Sequence, residues 1–184
     1  MSDMARRVHS GAQALPRDQG ETMASPAAQA AASSAFEGHP AAEAIQRVRD
    51  SFGRQTIMTL FGARLVRVEP GVVEIALPFR ADLCQQNGYL HAGISTTIAD
   101  SAGGYAALSL FVAGEDVLTS EFKMNFLAPA DGEHFVATGR VLKPGRRLSI
   151  CQVEVYAHRG NQSTLCVVGL MTAVRVTPPR GPTR

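Results

Sequence analysis

The sequence predicts an α+β fold in which an antiparallel sheet wraps around one buried helix. The first observation is an apolar segment, residues 91–112, which contains no proline and has the length of a helix. Four candidate strands follow it, over residues 117–127, 134–143, 147–158 and 163–176. A helix followed by consecutive strands is typical of α+β proteins, in which the helix is buried against the sheet.

The first part of the chain is predicted to lie outside this fold. Seven of the twelve residues from 24 to 35 are alanine, and the region lacks the apolar periodicity that would give a helix a face to bury. We therefore predict a disordered extension over residues 1–39, a folded domain over 40–177 and a flexible tail over 178–184.

Two helices precede the first strands. Residues 41–52 place Ile45, Val48 and Phe52 on one side of an amphipathic helix. A second, shorter helix is predicted over residues 54–60.

Turn residues and alternation define the strands. The first hairpin joins residues 65–69 to 72–77, and residues 163–176 are apolar on both faces, which predicts a central strand. The turn signals are Pro70-Gly71, Pro144-Gly145 and Gly160-Asn161. In the strand after the long helix, the alternating apolar residues are Phe122, Met124 and Phe126.

Composition argues against several classes of protein. Hydrophobic residues make up 45% of the chain and charged residues 18%, which suits a globular protein with an ample core. A net charge of +2 without a basic, aromatic-rich tract gives no case for nucleic-acid binding. The longest charge-free apolar stretch, residues 101–114, is too short to span a bilayer, so no membrane partner is predicted.

The cysteines and histidines argue against disulfides and metals. Cys84, Cys151 and Cys166 are odd in number and widely spaced, which indicates a reducing compartment and predicts a cytoplasmic location. Arg6 and Arg7 are not followed by the apolar run of an export signal. Because the five histidines are scattered and no HExxH or CxxC motif occurs, we predict no structural or catalytic metal site.

Residues 85–104, QQNGYLHAGISTTIADSAGG, carry the strongest functional signal. If the helix begins at His91, the free N–H groups of Ala92 and Gly93 and the helix dipole favour a developing negative charge. Asp100 is nine residues past His91, which corresponds to about 900° of rotation and roughly 13 Å of rise, so it lies on the opposite side of the helix from His91. One copy of the helix cannot direct both ends at one atom, whereas two antiparallel copies in a dimer can.

The helix face that carries Asp100 otherwise holds only small residues. An interior glycine costs a helix up to about 1 kcal/mol relative to alanine, so Gly103 and Gly104 indicate that a ligand or a second helix comes close. The alternative interpretation is that Asp100 is an ordinary solvated residue without a functional role. The small residues on this face are Gly93, Thr96, Thr97, Gly103, Gly104 and Ala107.

The motif Gln85-x-x-Gly88-x-x-His91-x-Gly93, with an acid nine residues after the histidine, resembles the active-site segment of hotdog-fold acyl-CoA thioesterases. The most similar branch is the one named for phenylacetate degradation, with its hydroxybenzoyl-CoA thioesterase relatives. The family usually has two glycines after the histidine, and here Ala92 takes the place of the first.

Two later segments, residues 118–129 and 139–148, also resemble that family, and the similarity covers roughly residues 41–176. The resemblance implies the hotdog fold, a homodimer or tetramer, and hydrolysis of an acyl- or aryl-CoA thioester to acid and CoA. No separate cofactor is implied, since CoA is part of the substrate.

The resemblance also implies roles for individual residues in a site shared between subunits. Asp100 would be the general base or the nucleophile, and Thr119 would position the water. From the other subunit, Gln85 would help to orient or polarise the thioester carbonyl, the N–H of Ala92 would be the main donor to its oxygen, and His91 belongs to the same half of the site. The alternative interpretation is that Gln85 and His91 are loop polar residues or helix caps and that Thr119 is an ordinary polar strand residue.

Three further predictions concern residues that would contact the substrate or lie beside the site. Gly93 is predicted to lie against the substrate. Lys143, Arg146 and Arg147 surround the Pro-Gly turn and either hold the phosphates of CoA or form an ordinary solvated turn. Cys84, beside the site, is predicted to be an inert thiol because no histidine–acid pair can be assigned to it.

Two other functions share the predicted fold. One is a binding protein that senses acyl-CoA without turnover, although such a protein would be free to lose Asp100. The other is a dehydratase or hydratase, but neither the hydratase motif nor the His-Phe-Pro-Gly loop of those enzymes occurs in this chain.

Overall fold

A computed structural model of the protein describes residues 41–177. The predictions made for residues 1–39 and 178–184 lie outside this range. Within it, every predicted helix and strand is present and in the predicted order. The elements are α1 (Ala41–Gly53), α2 (Thr56–Phe61), β1 (Arg64–Glu69), β2 (Val72–Pro78), a 3₁₀ turn (Ala81–Leu83), α3 (Ala92–Leu108), β3 (Asp116–Phe126), β4 (His134–Lys143), β5 (Leu148–Arg159) and β6 (Gln162–Val176).

The six strands form one antiparallel sheet in the order β1-β2-β4-β5-β6-β3. The sheet wraps around α3, which contacts β2, β3, β4, β5 and β6. This arrangement confirms the predicted α+β hotdog class. The strand β6 lies between two others, as its apolar residues on both faces predicted, whereas β3 forms an edge of the sheet.

The long helix ends earlier than predicted. It stops at Leu108 rather than near residue 112 because Ser109 ties its end to the first hairpin. The Ser109 hydroxyl donates to the Ala106 carbonyl at 2.6 Å and accepts the N–H of Gly71 at 2.8 Å. No helix among residues 41–177 is long and apolar enough to cross a membrane.

The helix packs so closely on the sheet that glycine is required at the contact. A Cβ atom added at Gly139 in β4 would lie 2.3 Å from the carbonyl carbon and oxygen of Ala102. A Cβ at Gly103 would lie 2.1 Å from the Met171 sulfur and 2.8 Å from a Val153 methyl. For Gly103, therefore, the close neighbour is the sheet and not a ligand or a second helix.

The contact at Gly139 generates a stability prediction. We expect Gly139→Ala to lower the free energy of unfolding by about 1–3 kcal/mol, because the new methyl group meets rigid backbone and the helix must move away. Urea denaturation of the variant and the native protein measures the loss.

Gly53→Ala is the matched control, since a Cβ at Gly53 has no neighbour within 4 Å. This variant should lose no stability. Equal unfolding free energies for the two variants would contradict the assignment of Gly139 to the helix–sheet contact.

Candidate active site

Two open cavities flank α3 at different places along its length. The first, of about 500 Å³, is called the acid cavity. Its defining residues are Gln55, Asp100, Ser101, Gly104, Tyr105 and Thr119. The second, of about 400 Å³, is called the amide cavity. Its defining residues are Gln85, Tyr89, Ala92, Phe126, Leu127 and Pro129.

A carboxylate and a hydroxyl meet in the acid cavity. Asp100 is half-buried on α3, and the Thr119 hydroxyl of β3 donates a hydrogen bond to its Oδ1 at 2.6 Å. Among residues 41–177 the carboxylate accepts no other hydrogen bond, so its second oxygen remains available. Such a group can take a proton from water or attack an electrophilic carbon.

A β-bulge directs Thr119 toward Asp100. The register of β3 against β6 shifts between Thr119 and Glu121. Beyond the shift, Met124 packs on the core and Phe126 lines the amide cavity. If side chains alternated strictly along β3, Thr119 would lie on the opposite face of the strand from Met124. The extra residue at the bulge places Thr119 on the same face as Met124 instead. Bulges commonly aim a side chain into a site in this way.

The N-terminus of α3 opens onto the amide cavity. His91 is the N-cap, and its Nδ1 accepts the N–H of Gly93 at 2.9 Å. The N–H of Ala92 has no hydrogen-bond partner among the described residues. Because this N–H lies at the positive end of the helix dipole, it can receive a negatively charged oxygen. The N–H of Gly93 is already used by His91.

Gln85 begins a tight loop that borders the amide cavity. Its backbone N–H donates to Tyr89 at 2.9 Å, and its side-chain oxygen accepts the N–H of Asn87. Gly88 adopts a φ of +83°, which a residue with a side chain rarely tolerates. The loop therefore holds the Gln85 amide in one place beside the helix start.

The structure brings some predicted site residues together and separates others. Asp100 and Thr119 line the acid cavity, while Gln85 and Ala92 line the amide cavity, and the two cavities have no lining residue in common. Neither cavity of one chain therefore holds both an acid and a free helix N–H. His91 lines neither cavity and caps the helix instead.

The three basic residues lie apart from both cavities. Lys143 ends β4, and Arg146 and Arg147 follow in the turn, all three exposed. The Arg147 carbonyl accepts the N–H of Arg175 at 2.8 Å, so the turn lies at the end of the sheet where β3 begins. That is the end nearer to the acid cavity.

Several lining residues had no signal in the sequence. The junction of α1 and α2 supplies one wall of the acid cavity, where the Ser101 hydroxyl donates to the Gln55 side-chain oxygen at 3.2 Å. The two residues are 46 positions apart, so no local pattern could join them. Tyr89, by contrast, lies inside the motif that begins at Gln85 and could have been noted.

The cysteine beside the amide cavity is not activated. Burial, with a smaller effect of the Asp82 charge, raises the pKa of the Cys84 thiol above its usual value. The thiol therefore stays protonated, and it donates a hydrogen bond to the Arg80 carbonyl at 3.4 Å.

Comparison with known proteins identifies several relatives of this chain. Residues 87–164 match the sequence profile of the Thioesterase superfamily. A putative esterase from Saccharolobus solfataricus is 32% identical over 130 residues, which cover 71% of this chain and 84% of that protein.

Two further relatives have more specific descriptions. A 1,4-dihydroxy-2-naphthoyl-CoA hydrolase from Listeria monocytogenes is 25% identical over 114 residues, covering 62% of this chain and 91% of the enzyme. The crystal structure of a thioesterase family protein from Silicibacter pomeroyi has a TM-score of 0.72 and 44% identity, covering 73% of this chain and 99% of that one.

Proposed function

This chain belongs to the thioesterase superfamily of hotdog-fold proteins, and from that premise we propose that it hydrolyses an acyl- or aryl-CoA thioester to the free acid and CoA. The observation that carries the proposal is the Asp100 carboxylate, hydrogen-bonded to Thr119 and open to a cavity. The Listeria relative, named as a hydrolase of an aryl-CoA, supports CoA thioesters as the substrate class.

A complete site requires two chains. Within the part of the chain that the structure describes, β3 is an edge strand with unpaired backbone groups and large exposed apolar side chains, which favours pairing with another strand. Leu118, Phe122 and Phe126 are 61%, 48% and 53% exposed. The acid cavity lies at the beginning of β3 and the amide cavity at its end. Antiparallel pairing of β3 with the β3 of a second copy therefore joins each acid cavity to the partner's amide cavity.

The chemistry at the joined site needs no metal or redox cofactor. The thioester oxygen accepts the N–H of Ala92 and becomes an oxyanion when a nucleophile adds to the carbonyl carbon. In one route water adds while Asp100 takes its proton, and collapse of the adduct expels the CoA thiolate, which is then protonated. In the other route the carboxylate itself adds, the adduct expels the CoA thiolate, which is then protonated, and water hydrolyses the resulting anhydride to the free acid and the Asp100 carboxylate.

The neighbouring side chains act on the position of the reactants. Thr119 donates to one carboxylate oxygen and leaves the other to face the substrate. The side-chain amide of Gln85 borders the amide cavity, where the Ala92 N–H polarises the thioester carbonyl. His91 holds the first turn of the helix in place through its bond to Gly93, which keeps the Ala92 N–H directed outward.

Two further features concern the CoA phosphates and the cellular location of the protein. Lys143, Arg146 and Arg147 form an exposed basic group at the end of the sheet nearer to the acid cavity, and guanidinium groups bind phosphates well. We propose that these three residues bind the phosphates of CoA.

All three cysteines are free, which supports a location in the reducing cytoplasm.

We expect Asp100→Asn to fold and assemble normally but to lose turnover of the best CoA ester by a factor on the order of 10² to 10⁴, the usual effect of removing a general base. Steady-state release of the CoA thiol measures the change. Asp116→Asn removes an equal charge from the same cavity without touching Thr119 and should lose far less.

A native rate in purified Asp100→Asn would show that the carboxylate is not catalytic. If the native protein binds CoA esters tightly and hydrolyses none of a panel of short, long and aromatic esters, the chain is a binding protein.

A mixing experiment tests the shared site. Ala92→Pro removes the N–H donor, and proline is tolerated at the first helical position. Asp100→Asn and Ala92→Pro proteins are each expected to be inactive. After random subunit exchange, half of the dimers carry one intact site, so about one quarter of the native activity should return.

Ala92→Gly is the control for the proline variant, since it keeps the N–H and should retain activity. Subunit exchange is verified with two differently tagged chains. Inactivity of a mixture in which mixed dimers are present would rule out sites built from two chains.

The basic turn generates a prediction about the nucleotide. Replacing Arg146 and Arg147 with alanine should raise KM for a CoA ester with little change in kcat, because the phosphates bind equally in the ground and transition states. The effect should weaken with salt, since exposed charges are screened within about 8 Å at physiological ionic strength.

The control substrate is the matching N-acetylcysteamine ester, which lacks the nucleotide. The double variant should hydrolyse it with native constants. Equal losses on both esters would show that Arg146 and Arg147 do not bind the CoA phosphates and belong to an ordinary solvated turn.

A further inference from the structure

Gly104 is a glycine that the packing of the chain does not require. Among residues 41–177, a Cβ atom at Gly104 would meet only a Val117 methyl, at 3.9 Å, which is ordinary van der Waals contact. Its neighbour Gly103 differs, because a Cβ there would collide with Met171. Gly104 also lacks the positive φ that would favour glycine. Since glycine is unfavourable inside a helix relative to alanine, its presence here calls for a different reason.

Gly104 lines the acid cavity one helical turn beyond Asp100. Four residues correspond to about 6 Å along the helix, and residues at this spacing share a face. The other α3 residues that line this cavity are Ser101 and Tyr105, so the cavity extends from the acid only toward the C-terminal end of α3. A group that extends along α3 from the reacting carbon within this cavity therefore passes over Gly104.

The far side of the cavity is closed by side chains held in place. Tyr105 is 5% exposed and packs against Phe52 of α1, with ring centroids 5.9 Å apart. Ser101 is hydrogen-bonded to Gln55 at the junction of α1 and α2. The open space above Gly104 is therefore bounded by a wall that a substrate cannot easily displace.

We propose that Gly104 determines which acyl groups this site accepts, by leaving room for a ring or a chain of several carbons along α3. The inference rests on the proposed function, in which Asp100 acts at the thioester carbonyl. An acyl group that extends from that carbon reaches Gly104 after about one helical turn, whereas an acetyl group ends before it. Any side chain at position 104 occupies the space of the longer group.

The test is a series of variants assayed with acetyl-CoA, hexanoyl-CoA and phenylacetyl-CoA. From Gly104 to Gly104→Ala to Gly104→Val, the kcat/KM for hexanoyl-CoA or phenylacetyl-CoA should fall progressively relative to that for acetyl-CoA. The ratio should drop by on the order of tenfold or more for valine, because a methylene-sized change in a pocket has effects of this size.

Two controls separate selectivity from folding and assembly. Gly104→Ala should have a Tm no lower than that of the native protein, since the methyl group meets no close atom. Gly103→Ala should lower the Tm through its clash with Met171 while leaving the selectivity ratio unchanged.

The outcomes distinguish this inference from the proposed function. Native hydrolysis together with an unchanged ratio in both Gly104 variants overturns the inference alone. Dissociation of the Gly104→Ala dimer, detected by sedimentation, also overturns it, because the glycine then serves contact with a second copy. Failure of the native protein to hydrolyse any ester overturns the proposed function, and this inference with it.

Discussion

The contact between α3 and the sheet at Ala102 and Gly139 determines where every functional group lies. Backbone meets backbone there without an intervening side chain, and Gly103 makes a similarly close contact with Met171. These contacts turn one side of the helix into the core. The side that carries Asp100 is left at the opening of the wrapped sheet, where it borders a cavity. A looser contact would move both ends of the helix relative to the strands that complete the two cavities.

The same packing explains why the residues of the proposed site are divided between two cavities of one chain. The N-terminus of a helix provides free N–H groups, but a carboxylate two to three turns further along faces another direction. The wrapped sheet then separates the two regions, since the acid cavity borders the beginning of β3 and the amide cavity borders its end. An edge strand with exposed apolar side chains links the two regions, which makes pairing of two copies the simplest way to complete a site.

Small local features adjust this arrangement. The bulge between Thr119 and Glu121 turns the Thr119 hydroxyl toward the carboxylate. The His91 cap uses the N–H of Gly93 and leaves that of Ala92 free. In the proposed mechanism alanine serves at position 92, because the group assigned to the thioester oxygen is the backbone N–H. The absence of a partner for that N–H within the described residues agrees with this role.

The sequence by itself determined the class of the fold, the order of its elements and the opposed directions of His91 and Asp100, because these follow from local periodicity and turn residues. It placed the end of α3 too late, since Ser109 bonds to Gly71, 38 positions away. The resemblance grouped Thr119 with Asp100, but only the tertiary structure decided that a bulge turns its hydroxyl onto the carboxylate. It likewise decided that Gln55 forms a cavity wall, and that Gly103 serves packing while Gly104 does not. Each of these depends on a strand register or a contact between distant residues, and such contacts leave no periodic pattern in the chain.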